Sequence, residues 1–236
     1  TGFDFDAREV ELGSKSLSYD RLVIAAGSRL TRPEIPGLEQ HAFSIDTWND
    51  AKALENHLQR LTDNPAGPAR DTVLVIGGGL TGVELACEMP DRLRALGISG
   101  GRVILADRQD HIGSNMGLHA VPVIEDALSE LGIECRTGVN VTGIDADGVK
   151  LADDSRIEAA TVVWSAGMSA SPIAAMIPVT RDKLGRIPVD RTMRVIGLND
   201  IYSAGDIAAA PLDPGHSTVM SCQHSRPMGR FAGNNV

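Results

Sequence analysis

The sequence predicts an α/β fold, in which helices cover a parallel sheet, and three features support this. The apolar run Val73–Ile76 is short and rich in β-branched residues, as is typical of a buried parallel strand. After a glycine-rich turn, apolar residues recur at spacings of four, four and three, which places them on one helical face. These residues are Leu85, Met89, Leu93 and Leu96. A second apolar run, Val103–Ala106, completes a β-α-β unit.

The turn between the strand and the helix carries glycines in the pattern GxGxxG, at Gly77, Gly79 and Gly82. The first glycine permits a sharp turn, the second lets a phosphate approach the backbone, and the third allows the helix to pack closely on the strand. A flexible loop between unrelated elements is the alternative, but the flanking strand and helix argue against it. The pattern therefore predicts a dinucleotide site with its pyrophosphate at the helix N-terminus. The site would comprise Gly77, Gly78, Gly79, Leu80, Thr81 and Gly82.

Asp107 follows the second apolar run, about 25 residues after Gly82, where an acid that binds the adenosine ribose is expected. Its carboxylate would repel the 2′-phosphate of NADPH, so we expect NADH to be the preferred cofactor. A solvated turn residue is the alternative interpretation of Asp107. Arg108 has the chemistry to accept a 2′-phosphate, which keeps NADPH open as the less favoured cofactor. If the strand persists to Arg108, alternation along it turns that side chain away from the ribose.

The segment before this unit is predicted to contain strands, a proline-rich connection and a helix. Apolar and polar residues alternate and then give way to an apolar run, which indicates a hairpin leading into a buried strand. The predicted strands are Gly2–Phe5, Arg8–Leu12 and Leu17–Ala26. The prolines between Arg32 and Gly37 are typical of a domain boundary. Either Asp46 or Thr47 is placed to cap a helix over Asp50–Leu61.

The segment after the unit is predicted to contain another helix, several short strands and a closing helix. Gly132 ends the first of these helices, His119–Leu131, and the closing helix spans Val219–Asn235. The predicted strands are Cys135–Thr137, Val141–Asp145, Gly148–Leu151, Thr161–Trp164 and Ile201–Ser203. Pro90 and Pro227 fall inside predicted helices, where the missing N–H donor is expected to bend the helix.

The composition narrows the functional classes. A net charge of −9 makes an extended contact with nucleic-acid phosphates improbable. No apolar stretch reaches the roughly 18 residues that would indicate a membrane span. Cys87, Cys135 and Cys222 are far apart and odd in number, which suits a reducing compartment, so we expect a cytoplasmic protein. Cys87 and Cys135 are expected to be buried and inert, and Cys222 is a candidate for a redox role. The histidines show no metal-ligand spacing, so no metal is expected.

Four segments in chain order resemble the pyridine nucleotide-disulfide oxidoreductase superfamily, whose members are flavoproteins with two dinucleotide-binding domains. These segments are Tyr19–Ser28, Gly77–Glu88, Thr161–Gly167 and Gly185–Asp206. The TGVE sequence after the glycines, the DRL sequence and the VVWSAG strand make type II NADH dehydrogenases the most similar branch. The resemblance implies a Rossmann-like NAD(P)H-binding domain, residues 41–170, inserted in a partial FAD domain formed by residues 1–40 and 171–236.

The resemblance also implies residues of the FAD site. Ala25, Ala26 and Gly27 stand where the chain leaves the FAD domain in the family. Asp206 stands where the family's acid accepts hydrogen bonds from the ribityl chain of the flavin, and Gly205 lets the backbone approach the FAD pyrophosphate. A simple helix cap is the alternative role for Asp206.

On the NADH side, the resemblance implies that Ser165, Ala166 and Gly167 line the cleft. Glu84 corresponds to a family glutamate that lies near the nicotinamide and the flavin, and it is the catalytic candidate. A first-turn glutamate that is stabilised by the helix dipole is the alternative interpretation of Glu84.

The chain departs from the family pattern in two places. In the family, a glycine-rich βαβ unit for the ADP part of FAD precedes the Tyr19–Ser28 segment, and it is missing from this sequence. We therefore expect a fragment that does not retain FAD. Type II NADH dehydrogenases also carry an Ala-Gln quinone-site motif and a membrane-associating tail, whereas the corresponding stretch here is Ser221–His224. This departure puts a quinone acceptor in question.

The expected function is that of an FAD-dependent oxidoreductase that passes hydride from NADH to flavin and electrons on to a quinone or similar acceptor. A reductase of the same fold that acts on a disulfide, a ferredoxin or a sulfide is one alternative. A nucleotide-binding fragment without turnover is the other. Peripheral attachment of the parent protein to the inner face of a membrane and a homodimer both stay open.

Overall fold

The computed structural model describes residues 2–117 and 119–236 of the chain. The chain divides into two compact units. The first unit consists of Thr1–Arg29 and Met168–Val236, and the second consists of Leu30–Gly167. The domain boundaries inferred from the sequence, after residues 40 and 170, stay a prediction.

The secondary structure consists of short strands and five α-helices in the described residues. The strands are β1 Gly2–Asp4, β2 Glu9–Leu12, β3 Lys15–Ser18, β4 Leu22–Ile24, β5 Ser28–Leu30, β6 Ala42–Phe43, β7 Thr72–Ile76, β8 Arg102–Ala106, β9 Glu134–Arg136, β10 Val141–Asp145, β11 Gly148–Leu151, β12 Arg156–Glu158, β13 Thr161–Trp164, β14 Met168–Ala170, β15 Ile187–Pro188, β16 Ile201–Ser203, β17 Ala208–Ala209, β18 Pro211–Asp213 and β19 His216–Ser217. The α-helices are α1 Leu38–His41, α2 Trp48–Arg60, α3 Leu80–Ala95, α4 Ala120–Glu130 and α5 Cys222–Asn235. Short 3₁₀ helices span Leu61–Asp63, Ser114–Met116 and Pro172–Met176.

The second unit is built on a five-stranded parallel sheet in the order β6-β13-β7-β8-β9. One face packs against helices α2, α3 and α4 through residues such as Val73, Val75 and Leu105. The other face packs on the antiparallel strands β10-β11-β12 through residues such as Leu74 and Ile104. Because both faces are covered, β7 and β8 are continuous apolar runs rather than alternating ones. The predicted α/β fold class is confirmed.

Helix α2 begins where the sequence predicts a cap. The Thr47 side chain accepts a hydrogen bond from the Asp50 backbone N–H, and the Asp50 side chain accepts one from the Thr47 N–H. This reciprocal arrangement satisfies two of the backbone donors that a helix N-terminus leaves unpaired. Helices α3 and α5 both continue past their internal prolines, Pro90 and Pro227. Of the helices in residues 2–117 and 119–236, none combines the length and the apolar character needed to cross a membrane.

The first unit combines a three-stranded antiparallel sheet, β1-β2-β3, with several two-stranded pairs. Strand β4 pairs in parallel with β16, although the two strands are far apart in the sequence. The core of this unit is formed mainly by the C-terminal segment, including Ile187, Val195, Ile201 and Ile207. Because β4 and β16 run parallel, the residues that follow the two strands lie at the same end of the pair.

The single strand predicted over Leu17–Ala26 is wrong, because the chain changes partner within it. The Tyr19 N–H donates to Arg8 O, which is the last bond at the open end of the β2–β3 hairpin. The Leu22 N–H instead donates to Asp200 O, at the start of the pairing with β16. The second part is also less buried than predicted. Val23 is 41% exposed and only Ile24 of β4 is buried.

The expectation that Cys135 is buried is also wrong. Strand β9 is the outermost strand of the parallel sheet, so its side chains are only partly covered, and Cys135 is exposed. Cys87, on α3, is half-buried. Burial nevertheless raises the pKa of both thiols, which lowers the fraction of each that is thiolate at neutral pH.

Candidate functional site

The glycine-rich turn joins β7 to α3, with Gly79 as the N-cap residue of the helix. Its backbone is extended, with φ −75° and ψ 178°. No side chain of the described residues caps α3, and its first turn holds no acidic residue. The N–H groups at this end, which have no partner inside the helix, are therefore available to an anion at the positive end of the helix dipole.

Gly77 and Gly82 are required by close packing of the turn on the end of β13. Gly77 has φ +120°, and a Cβ atom there would lie 2.7 Å from the Ala166 nitrogen and 2.8 Å from the Ser165 carbonyl carbon. A Cβ atom at Gly82 would collide with the Gly77 carbonyl oxygen and lie 2.8 Å from Ser165 Oγ. These two glycines let the turn, the helix and β13 approach without side chains between them.

Ser165, Ala166 and Gly167 follow β13 directly and lie beside this turn. Ser165 Oγ donates to the carbonyl oxygens of Ile76 at 3.0 Å and Gly77 at 3.3 Å. The Ala166 carbonyl accepts a hydrogen bond of 2.9 Å from the Trp164 indole N–H. The structure thus brings these three predicted residues together with the glycine-rich turn, at the carboxyl ends of two adjacent parallel strands. Their contact with NADH stays a prediction.

Asp107 contacts the glycine-rich turn directly. Its Oδ2 accepts a hydrogen bond of 2.5 Å from the Gly78 N–H, and its Oδ1 accepts one of 2.7 Å from the Gln109 N–H. The carboxylate is therefore bonded both to the glycine-rich turn and to the backbone of its own turn. Its contact with a ribose stays a prediction. Ile112, which the sequence analysis missed, is fully buried against Gly78 and has no motif that would have identified it.

Arg108 is exposed and lies in a bend. Strand β8 ends at Ala106, so the strand alternation that was expected to turn Arg108 away from the ribose does not reach it. The position of its guanidinium relative to a bound ribose is therefore not set by the sheet.

Asp206 and Gly205 follow β16 in the first unit. Asp206 Oδ2 accepts a hydrogen bond of 2.8 Å from Ser28 Oγ, and Oδ1 accepts one of 2.9 Å from Ser225 Oγ. Gly205 has φ +79°, a conformation that favours glycine. Ser28 follows the predicted Ala25, Ala26 and Gly27 directly, so the segment after β4 meets the segment after β16 at this carboxylate. The sequence offered no signal for Ser225.

Glu84 is exposed and is the fifth residue of α3. It lies beyond the first turn, so the alternative of a first-turn glutamate at the helix dipole is wrong. Its catalytic role stays a prediction. No group of three or more metal-ligating side chains occurs in the described part of the chain.

The comparisons with known proteins agree with this geometry. A NADH dehydrogenase-like protein of Mycobacterium tuberculosis is 51% identical over 100% of this chain and 60% of its own length. A type II NADH:quinone oxidoreductase of the same organism is 29% identical over 84% of this chain and 48% of its own length. This chain therefore spans about half to three fifths of the relatives that it matches.

A solved structure has the same fold. The water-forming NADH oxidase of Lactobacillus brevis, bound to NADH, matches 100% of this chain and 51% of its own, with 25% identity and a TM-score of 0.74. The sequence profile of the pyridine nucleotide-disulphide oxidoreductases matches residues 1–229. The resemblance and the two-dinucleotide-binding-domain fold class inferred from the sequence are both confirmed. The chain belongs to the pyridine nucleotide-disulphide oxidoreductase family.

Proposed function

We propose that the protein containing this chain is an FAD-dependent oxidoreductase that takes hydride from NADH and passes electrons to a quinone or similar acceptor. The observation that carries the proposal is the arrangement at the glycine-rich turn of the second unit. There, an uncapped helix N-terminus, a glycine-rich turn and the carboxylate of Asp107 form one hydrogen-bonded assembly. Relatives named as NADH dehydrogenase-like and as type II NADH:quinone oxidoreductase support the donor and the acceptor class.

In this assembly, backbone N–H groups would bind the pyrophosphate of the nucleotide, and the side chain of Asp107 would bind its ribose. The Gly78 N–H is bound to Asp107, so the pyrophosphate would be held by the N–H groups at the start of α3. Asp107 would bind the ribose hydroxyls while it holds the turn in shape. The same carboxylate would repel the 2′-phosphate of NADPH.

An Asp107→Ala variant is therefore expected to bind NADH roughly tenfold more weakly or worse, because a charged acceptor of two backbone N–H groups is lost. The difference between NADH and NADPH affinity should narrow as well. Titration of both nucleotides by calorimetry measures the two effects. Asp110→Ala is the matched control, since Asp110 is an exposed acid in the same bend and its replacement should leave both affinities unchanged. Tighter binding of NADPH than NADH to the unsubstituted protein would show that Arg108 controls selectivity.

The residues of the first unit fit part of a flavin site. Asp206 presents a carboxylate whose two oxygens are oriented by the Ser28 and Ser225 hydroxyls, and Gly205 leaves the adjacent backbone without a side chain. Ala25 and Ala26 are small and exposed beside them. These residues would hold the ribityl and pyrophosphate parts of FAD. When bound, FAD supplies the two-electron chemistry, and the protein positions and tunes it.

The purified chain is expected to bind NADH but to be colourless. The GxGxxG turn of this sequence lies in the second unit, where we propose that NADH binds, and the residues around Asp206 would contact only part of an FAD molecule. An absorbance scan, with and without added FAD after desalting, measures retained flavin. A stoichiometric flavin band would show that the residues around Asp206 suffice to hold the cofactor.

The acceptor is tested with the full-length protein. Steady-state oxidation of NADH is compared with a short-chain quinone, a disulfide and a ferredoxin as alternative acceptors. Turnover with the quinone at least tenfold above the others would support the proposal. Preference for a disulfide or a ferredoxin would assign the protein to another reductase of the same fold, and absence of turnover with flavin bound would refute oxidoreductase activity.

A further inference from the structure

The indole of Trp164, at the end of β13, holds the chain segment that follows this strand. Its N–H lies between two carbonyl oxygens, 2.9 Å from Ala166 O and 3.2 Å from Thr31 O. Trp164 is 8% exposed, and a buried indole N–H requires a partner of this kind. The Thr31 N–H in turn donates to Gly167 O at 2.9 Å. The carbonyl groups of Ala166 and Gly167 are therefore both bonded on the same side of the segment.

The bond from Trp164 sets the direction of the Gly167 N–H. In a trans peptide, the C=O of one residue and the N–H of the next point in opposite directions. Because the Ala166 C=O points to the indole, the Gly167 N–H points away from it. The Trp164 ring packs with Leu74 and Ile104 on the sheet face opposite to α3, so this N–H is directed toward the α3 side. Gly167 is exposed, and no carbonyl of the described residues accepts a hydrogen bond from its N–H.

The order of the strands determines which end of a dinucleotide this N–H would meet. Strand β7, which leads into the glycine-rich turn, lies between β8 and β13. Asp107 follows β8, and its proposed ligand is the adenosine ribose. A dinucleotide with its pyrophosphate at the turn would therefore extend its other half over the end of β13. In NADH this half ends in nicotinamide, whose carboxamide oxygen accepts hydrogen bonds.

We propose that Trp164 is a positioning residue for the nicotinamide end of NADH, an inference that rests on the proposed function. The indole holds the Ala166–Gly167 peptide so that the Gly167 N–H donates to the carboxamide oxygen. Gly167 has φ +81°, and glycine allows the backbone several other conformations. Without the indole bond, this peptide would be free to rotate and turn its N–H away from the nicotinamide.

A Trp164→Phe variant removes the indole N–H and keeps an aromatic ring in the core. NADH should bind this variant roughly fivefold more weakly, which is the effect of one hydrogen bond. ADP-ribose has the adenosine, the pyrophosphate and both riboses of NADH but lacks the nicotinamide, so it should bind both proteins equally. Calorimetric titration of the chain with the two ligands measures this difference. A loosened fold would weaken the binding of both ligands, so the comparison separates positioning from stability.

Two variants serve as controls for Trp164→Phe. Trp48→Phe makes the same substitution on α2, at a residue that is 81% exposed, and should leave both affinities unchanged. Val162→Ala removes methyl groups from β13 in the same buried cluster as Trp164. It should lower the unfolding temperature without a change in the ratio of the two affinities. Equal weakening of both ligands by Trp164→Phe, or an unchanged NADH affinity, would overturn the inference. Absence of NADH binding by the unsubstituted chain would overturn the proposed function, and the inference with it.

A spectroscopic measurement tests the inference without replacing Trp164. The chain has two tryptophans, so an isotope-labelled Trp48→Phe variant gives a single indole N–H signal in an NMR spectrum. A peptide whose N–H donates a hydrogen bond becomes a better acceptor at its C=O, because connected hydrogen bonds polarise one another. NADH should therefore move the Trp164 indole proton signal downfield, whereas ADP-ribose should leave it in place. A signal that NADH does not move, or that both ligands move alike, would show that Trp164 does not position the nicotinamide.

Discussion

A Gly79→Val variant is expected to bind NADH roughly a hundredfold more weakly and to keep its fold, the weakening being equivalent to about 3 kcal/mol. The extended conformation of Gly79 is accessible to valine, so the backbone is not strained. The branched side chain would, however, stand between the helix N-terminus and the pyrophosphate that the proposed function places there. Loss of charge-assisted hydrogen bonds to a phosphate accounts for an effect of this size.

Calorimetric titration measures the NADH affinity, and thermal unfolding checks the fold. Gly100→Val is the matched control, because a Cβ atom at Gly100 would meet nothing within 4 Å and its backbone is not in the left-handed region. That variant should bind NADH like the unsubstituted protein. Equal affinities for all three proteins would mean that the pyrophosphate does not bind at the glycine-rich turn.

A Gly82→Ala variant should instead lose stability, by about 2 to 4 kcal/mol. Its Cβ atom would collide with the Gly77 carbonyl oxygen, and a backbone atom cannot move aside as a flexible side chain can. Strand β7, the glycine-rich turn and α3 would have to shift apart. Urea denaturation measures the free energy of unfolding.

Gly229→Ala is the control for this change. Gly229 also lies inside a helix, α5, where an added Cβ atom meets nothing within 4 Å. There the substitution should stabilise the helix by roughly 0.5 to 1 kcal/mol, because alanine loses less conformational entropy than glycine. Destabilisation of similar size at both positions would contradict the steric explanation.

The β-α-β unit could be predicted from the sequence because its signals are local. The apolar run before Gly77, the glycine spacing and the helical period after Gly82 all occur within a short segment, and the structure places the strand and helix there. The cap at Thr47 was equally accessible, since both of its partners lie within one turn.

The remaining features depend on contacts between distant segments. The predicted strand Leu17–Ala26 is interrupted after Ser18 because β3 pairs with β2, whereas β4 pairs with β16. No local pattern in the sequence indicates this change of partner. The exposure of Cys135 follows from the position of β9 at the edge of the sheet, and the order of strands in a sheet is not encoded in any local pattern of the sequence. The bond between Asp107 and Gly78, and those from Ser28 and Ser225 to Asp206, likewise required the folded chain.

The packing of Gly77 on Ser165 and Ala166 makes the folding of the glycine-rich turn depend on a segment that lies far from it in the sequence. The turn takes its shape against Ser165, which lies 88 positions after Gly77, so it cannot reach its final conformation while only its own strand and helix have formed. Long-range contacts of this kind form late, after the entropy of closing the intervening chain has been lost. Nucleotide affinity should thus arise only when β13 has joined the sheet. A bound nucleotide, in turn, would stabilise the whole second unit by mass action, since it has no complete site on any partly folded form.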